Sequence, residues 1–425
     1  HHDHGPLGAA RYDEAEERKL SILKESGFEV IRFAHNPPSP KFLELCDKMG
    51  ILVINEVFDG WQVGKVAHDY HLYFQDWWKK DLEAVVERDF NHPSVIMRSI
   101  GNEVAERDGS SRGNEICRKI SEYTKELDST RPTMVASNAI FVKAEEGEDN
   151  NWAANIKGNI VNAENDLFGH LTEGFFAGVD VAGYNYLTNR YQYDREKYPN
   201  RVIVGSETYP HEMFQNWHKM LGNNNVIGDF VWTAFDYLGE SGVGKVEYDQ
   251  QNGWGGAYPW YYANCGDFDV CGFKRPQSYY RDILWNRRKK PYIGVYDPAH
   301  HGKKILFKPW GWEPVLDSFT FPSFENKETS VDVYCSYDEV ELFVNDTSYG
   351  RKKAGLEVEY KTNYTIIYEP GFIRAVAYEN GRIADETIIK TAGKPDKIKL
   401  TPEDREGSLI YIKAEIVDQN GNRVP

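Results

Sequence analysis

Seven short apolar runs, near residues 30, 53, 98, 135, 183, 204 and 231, recur along the first part of the chain with amphipathic helical stretches between them. This alternation constrains the fold more than any other feature. Strands joined through helices run parallel and need those helices to cover their outer faces. One repeat shows the grammar. Residues 28–34 read as a strand, and Ser39-Pro40 then supplies an N-cap with Pro at the first helical position. Phe42, Leu43, Leu45, Cys46 and Met49 make the buried stripe of that helix. Gly50 ends it, and Ile51-Leu52-Val53-Ile54-Asn55-Glu56 is the next strand. Phe74, Trp78, Leu82 and Val85 predict a helix before the Val95 strand. Ile116, Ile120, Tyr123 and Leu127 predict another before a strand at 133–137. Later strands fall at 180–186, 202–207 and 227–235, with a last helix at 277–285. The count suggests an α/β fold, a (β/α)8 TIM barrel whose remaining strand would precede His1. A doubly wound open sheet is the alternative, but no Gly-rich phosphate loop follows any strand.

After Pro291 the pattern changes. Val331-Asp332-Val333-Tyr334, Val340-Glu341-Leu342-Phe343-Val344, Thr365-Ile366-Ile367 and 373–378 are short, several alternate, and turn residues separate them. The expected organisation is a (β/α)8 barrel over 1–290 lacking most of strand one, an immunoglobulin-like β-sandwich over 291–391, and the start of a further sandwich over 392–425. About 30 residues bury no core alone, so that last piece is expected to be incomplete or to lean on its neighbour. Beginning at His1 without Met or a leader, the chain reads as part of a longer polypeptide.

The net charge of −16 argues against nucleic acid and against an anionic membrane surface as partners. No apolar run approaches the roughly 20 residues that span a bilayer. Five cysteines (Cys46, Cys117, Cys265, Cys271, Cys335) make neither a disulfide framework nor a zinc site, although Cys265 and Cys271 are close enough in sequence to pair in a loop. Aromatic residues are 14% of the chain, which suits both sugar binding and ordinary core packing.

In a parallel barrel the reactive groups sit at the C-terminal ends of the strands. The polar residues there are His1 to His4, His35 with Asn36, Glu56, Asn102 with Glu103, Asn138, Asn185 with Tyr186, Glu207, and Trp232 with Asp236. Each has an ordinary structural reading: His35 satisfying a backbone group, Glu56 pairing with an arginine, Trp232 filling core. Two glutamates, Glu103 and Glu207, each closing a short apolar strand, are harder to explain that way. Paired carboxylates are the equipment for acid-assisted attack at an acetal carbon.

The motifs His1-His2-Asp3-His4-Gly5, Ile31-Arg32-Phe33-Ala34-His35-Asn36-Pro37-Pro38-Ser39-Pro40 and Asn91-His92-Pro93-Ser94-Val95 lead up to Gly101-Asn102-Glu103. With Gly205-Ser206-Glu207 and Phe230-Val231-Trp232-Thr233-Ala234-Phe235-Asp236-Tyr237 they resemble glycoside hydrolase family two. Asp338-Glu339-Val340-Glu341-Leu342-Phe343-Val344-Asn345 resembles the domain that follows the barrel in its bacterial β-galactosidases. The resemblance implies a retaining exo-β-glycosidase, with Glu103 as general acid/base and Glu207 as nucleophile, about 5–5.5 Å apart. It implies that Asn102 meets the sugar 2-hydroxyl and that Tyr186 hydrogen-bonds the nucleophile, with Tyr184 two residues earlier as the competing register. Asp3, His35 and Asn185 match substrate-binding positions, and Trp232 a platform under the sugar. No cofactor and no catalytic metal are implied. The partner is a carbohydrate, a β-galactoside or related oligosaccharide, and a homo-oligomer and a periplasmic or secreted location are compatible with the type.

The family's N-terminal sugar-binding sandwich and immunoglobulin-like domain are not in this sequence, and loops from them can complete the pocket. The Asn-x-Lys carboxylate clamp of the family's glucuronidases is missing from Asp267-Phe268-Asp269-Val270-Cys271-Gly272-Phe273-Lys274-Arg275-Pro276, which favours galactose, with β-glucuronidase and β-mannosidase as alternatives. A non-catalytic carbohydrate-binding barrel is the rival from another class, and a relic has no chemical reason to keep both glutamates. A metal hydrolase built on His1, His2, Asp3, His4 and His35 is the third reading.

Overall fold

The computed structural model describes residues 3–139, 166–250, 256–403 and 407–425. The apolar runs become seven strands: β1 (Val30–Phe33), β2 (Leu52–Glu56), β3 (Val95–Asn102), β4 (Thr133–Ser137), β5 (Val181–Asn185), β6 (Val202–Thr208) and β7 (Val226–Val231). They pair in sequence order, every neighbour parallel. Seven helices accompany them: α1 (Asp13–Glu25), α2 (Pro40–Met49), α3 (His71–Arg88), α4 (Ser111–Leu127), α5 (Leu167–Phe176), α6 (Tyr191–Lys197) and α7 (Met213–Leu221). This is a nearly closed parallel barrel of seven strands. Ser39 Oγ accepts from the Phe42 N–H at 3.1 Å, and Gly50 ends α2 in the left-handed conformation that a residue without Cβ adopts freely.

Side-chain alternation sorts each strand. Ile54, Met97, Met134, Ala136, Val181 and Val204 form an apolar layer within the sheet, while Phe74, Trp78, Leu82, Ile100, Phe168 and Phe175 belong to the larger helix-side core. The buried face of α3 runs Phe74, Trp78, Leu82 and Val86, one step past the expected Val85. On α4 the departure is larger. Gly113, Cys117, Ile120, Ser121 and Thr124 are buried, and the expected Ile116, Tyr123 and Leu127 only flank them. The polar members satisfy themselves locally: Ser121 Oγ meets Thr133 Oγ1 at 2.7 Å, and Thr124 Oγ1 donates to the Ile120 carbonyl at 2.7 Å. Small side chains with internal hydrogen bonds let the helix approach the sheet where an apolar-only pattern looks elsewhere.

The C-terminal strand ends are irregular. Register shifts fall between Ser99 and Asn102, between Gly183 and Asn185, and between Gly205 and Thr208. Glu103 (φ 46°) and Tyr186 (φ 59°) then take left-handed backbone, which costs a non-glycine residue on the order of 1–2 kcal/mol. Bulges and left-handed residues re-aim side chains that a regular pleat would not bring together.

Compactness divides the chain into His1–His4 with Ala9–Trp232, and Gly5–Gly8 with Thr233–Pro425. The second unit begins irregularly: the strand expected to reach residue 235 ends at Val231, and isolated bridges Phe235↔Phe268 and Tyr237↔Ala263 follow. It contains a helix, Ser278–Leu284, and two four-stranded antiparallel sheets. Strand Glu339–Val344 alternates as expected, with Val340, Leu342 and Val344 in a core that includes Ile293, Val331, Val333, Tyr364 and Ile373. Strands Lys397–Pro402 and Ile412–Val417 form a separate ribbon that leaves Ile398, Leu400, Ile412 and Ile416 exposed. Cys265 and Cys271 remain thiols and form no disulfide.

Candidate active site

Arg32 organises the strand ends. It lies on β1 with its side chain 3% exposed, and each of its five N–H groups has an acceptor. Nε and Nη2 reach Glu56 Oε2 at 3.0 and 2.7 Å, and Nη2 also reaches Asn102 Oδ1 at 2.9 Å. Nη1 reaches Glu207 Oε1 at 2.9 Å and the Ser206 carbonyl at 3.2 Å. Asn185 Nδ2 donates to Asn102 Oδ1 at 3.0 Å and to Glu103 Oε1 at 2.9 Å. One hydrogen-bonded path therefore runs from Glu207 through Arg32, Asn102 and Asn185 to Glu103. The two glutamates stand at the same end of the sheet.

Glu56 is saturated as an acceptor. Beyond Arg32 it takes Ser99 Oγ at 2.6 Å and His35 Nδ1 at 2.8 Å. Burial alone would raise its pKa; the charge of Arg32, the hydrogen bond and charge of His35 and the Ser99 hydrogen bond outweigh it and bring the carboxyl to about 2. His35 is in turn raised, burial working against its charged form and Glu56 overcoming it. Its Nε2 lies 3.9 Å from Glu207 Oε1, and its ring stacks on Trp232 at 5.2 Å with planes 7° apart. One face of the expected Trp232 platform is thus turned to His35.

Glu207 also accepts from the Tyr186 hydroxyl at 2.6 Å, whereas the Tyr184 hydroxyl donates to Asp194 at 2.6 Å. That geometry separates the two registers. Arg32 pairs directly with Glu56 and Glu207, whereas Glu103 is joined to it through Asn102 and Asn185. The pKa of Glu103 is pushed up by burial first and then by the charge of Glu207.

The other expected positions divide. Asp3 joins α1 through its carbonyl, which accepts from Lys19 Nζ at 2.7 Å. Asn138 Oδ1 accepts from Arg107 at 2.5 Å, and Arg107 also holds the Glu103 carbonyl at 2.9 Å, so both serve the loop that carries Glu103. Asp236 belongs to the second unit, where it accepts from the Gly266 N–H and pairs with Arg275; burial nevertheless raises it to about 6. His1 and His2 lie outside the described residues.

Several contributors escape a reading of strand ends. Arg32 precedes its strand's end, and the available signal was a lone charge inside an apolar run. Ser206 orients Asn185 by donating to its Oδ1 at 2.6 Å. Tyr209 stacks on Tyr186 with ring centroids 4.4 Å apart. Asp59 Oδ1 accepts from Asn102 Nδ2 at 3.2 Å and from Lys65 Nζ at 2.6 Å. Both of these come from the loop after β2, where nothing in the spacing marks them.

Residues 1–251 match the model of the glycosyl hydrolases family 2 TIM barrel domain. This chain belongs to glycosyl hydrolase family 2. Residues 326–384 match a domain of unknown function, DUF4982. Among curated relatives, the β-galactosidase BoGH2A of Bacteroides ovatus is 30% identical, aligned over all of this chain and 52% of its own length. A putative β-glucuronidase of Formosa agariphila is 28% identical over all of this chain and 40% of its own. A solved family 2 member from Bacteroides cellulosilyticus superimposes with a TM-score of 0.84 at 37% identity, over all of this chain and 52% of that one. The chain spans about half the length of these relatives or less.

Proposed function

We propose that this chain carries the catalytic machinery of a retaining exo-β-glycosidase acting on terminal β-linked galactose. The observation that supports it most is the unequal treatment of two neighbouring carboxyls. Glu207 accepts hydrogen bonds from Arg32 and Tyr186, which hold both its oxygens. Glu103 takes its hydrogen bond from a neutral amide and is shifted toward the protonated form. A carboxyl shifted toward its protonated form, beside one held by a guanidinium and a phenol, divides the roles into acid and nucleophile.

In this reading Glu207 attacks the anomeric carbon while Glu103 gives its proton to the departing oxygen. The C–O bond to the leaving group breaks as the glycosyl ester forms. Glu103, now anionic, takes a proton from water, and that water displaces Glu207, restoring both residues. Asn102 turns its Nδ2 to the sugar 2-hydroxyl; Asp3, His35, Tyr186 and Trp232 supply further hydroxyl and ring contacts; and Asn185, committed to Asn102, Glu103 and Ser206, orients that pair. Galactose is preferred over an anionic sugar for two reasons. Both curated relatives align over the whole chain, and the β-galactosidase is the more similar of the two, at 30% against 28% identity. In the stretch corresponding to the glucuronidase clamp, Lys274 pairs with Asp282 at 2.6 Å and Arg275 pairs with Asp236.

The test is a panel of aryl β-galactoside, β-glucuronide, β-mannoside and β-glucoside with the full-length protein, following the first anomer released by NMR. The expected result is fastest turnover of the galactoside with β-product formed first. A faster glucuronide or mannoside overturns the sugar assignment, and α-product formed first overturns retention.

A further inference from the structure

The loop between β2 and α3 carries an ion pair that the mechanism above does not use. Asp59 and Lys65 are 47% and 31% exposed, yet the loop that presents them is firmly held. Trp61 is fully buried and donates from Nε1 to the Ile100 carbonyl at 2.8 Å. The Gln62 and Val63 N–H groups both donate to Glu106 Oε1, at 2.8 and 2.9 Å. Those of Lys65 and Val66 donate to Asp69 Oδ2, at 2.7 and 3.0 Å.

We propose that Asp59 and Lys65 are positioning residues for the Asn102–Glu103 pair: Asp59 fixes the Asn102 amide by accepting one of its N–H groups, and Lys65 cancels the charge Asp59 would otherwise add beside Glu103. Asn102 Oδ1 already accepts from two donors, Arg32 and Asn185. Flipping the amide would set its NH2 against those donors, so the orientation needs an acceptor on the opposite side. Asp59 Oδ1 is that acceptor at 3.2 Å, with His35 Nε2 a longer neighbour at 3.4 Å. The other N–H of Asn102, beside His35 Nε2 at 3.4 Å, is the one a sugar hydroxyl would take.

The electrostatic half follows from the charges around Glu103. Glu103 faces Glu207 from β6, Lys65 from the loop after β2, Arg107 from its own loop, Asn185 from β5 and Tyr209 from the loop after β6. Lys65 acts on Glu103 in the direction opposite to burial and Glu207. An unpaired Asp59 would join Glu207 in opposing ionisation of Glu103, whereas an unpaired Lys65 would favour it.

Opposite signs make the test sharp. With 13C-δ-glutamate in the full-length protein, the Glu103 resonance is assigned by its loss in Glu103→Gln and titrated in each variant. Lys65→Met, with Lys65→Gln as a second version, should raise the Glu103 midpoint by about half a pH unit or more. Asp59→Asn should lower it by a similar amount, and the double variant should return close to the parent. Shifts of the same sign, or none, overturn the electrostatic half.

The orienting half is read from the ratio of kcat/KM for an aryl glycoside and its 2-deoxy analogue. Asp59→Ala should lose roughly tenfold on the former and little on the latter, because one hydrogen bond to the 2-hydroxyl is weakened. Equal losses on both overturn it. This arm rests on the proposed glycosidase reading. Should the parent protein cleave no glycoside, that reading fails, while the titration still decides whether the ion pair governs Glu103.

Discussion

Two buried charged networks share β3 and do opposite things with their carboxylates. One faces the helices: Arg98 sits between Met97 and Ser99, fully buried, and donates to Asp128 at 3.2 Å and to the Asp89 carbonyl at 3.3 Å. Asp89 also takes Arg88 at 2.6 and 2.8 Å and Asn55 at 2.7 Å, and Asp128 takes Arg131 at 2.8 Å. Three arginines serve two aspartates, and the carboxyl of Asp128 is held at about 2, hydrogen bonds from Thr130 and Arg131 outweighing burial. The other network lies at the strand ends, where Arg32 pairs with Glu56 and Glu207, and Glu103, reached through Asn102 and Asn185, has a raised pKa. Burial is common to both. Direct pairing with arginine separates the carboxyls of the brace from Glu103.

The largest expected effect is on the strand-end side. Glu207→Gln should cut kcat on an activated aryl galactoside by about 10⁴-fold or more, since an amide cannot form the glycosyl ester. Melting should change little, because Arg32 keeps Glu56. Wild-type rates in that variant would remove Glu207 from the chemistry. Next, Glu103→Ala should slow a poor leaving group by about 10²–10⁴-fold and a good one far less, with azide restoring part of the rate on the activated substrate. Equal losses without azide rescue would break the assignment. On the helix side, Arg98→Met should destabilise by about 3 kcal/mol, Asp128 losing one of its arginines, with kcat per folded molecule unchanged. Denaturant melts and active-site titration check both halves.

The smallest effect tests the opposite shifts of Glu103 and Glu56. A carboxyl whose folded pKa is raised costs nothing below the unfolded value, where both states hold the proton. It costs progressively more as pH rises through the window between the unfolded and folded values. Glu103→Gln should therefore raise Tm at pH 7, and the gain should fade below about pH 4, where an unfolded glutamate is also protonated. Glu56 has the opposite sign: its folded pKa is about 2, so its contribution is complete above the unfolded value and is lost as pH falls toward 2. Glu56→Gln should then lower Tm at pH 7. Equal and same-signed Tm changes in the two variants would erase the contrast between them.

Much of the barrel was legible because periodicity reports burial directly. Phe42, Leu43, Leu45 and Cys46 lie inside where their spacing puts them, and Gly50 caps the helix. The stripe of α4 was misread because Gly113, Ser121 and Thr124 carry no apolar signal, yet their size and hydrogen bonds permit burial. At the strand ends, Glu103, Glu207, Asn102 and Asn185 stood out as polar residues closing apolar runs. Asp59, Lys65 and Arg107 did not, because loop geometry and long-range hydrogen bonds bring them in. Bulges add to this, since a register shift moves a side chain in ways that period-two counting cannot follow.

Gly101 carries a last consequence. A Cβ there would lie 2.8 Å from the indole Nε1 of Trp61, the residue whose side chain is tied to the neighbouring Ile100 carbonyl. The first letter of the Gly-Asn-Glu signature is therefore a seat cut for a ring that arrives from another loop. The two are one heritable part. Anyone transplanting the β2 loop from a relative to alter specificity would have to carry the tryptophan with it, or reshape the glycine as well, and a bulkier residue at 101 would dislodge the loop before it touched the chemistry.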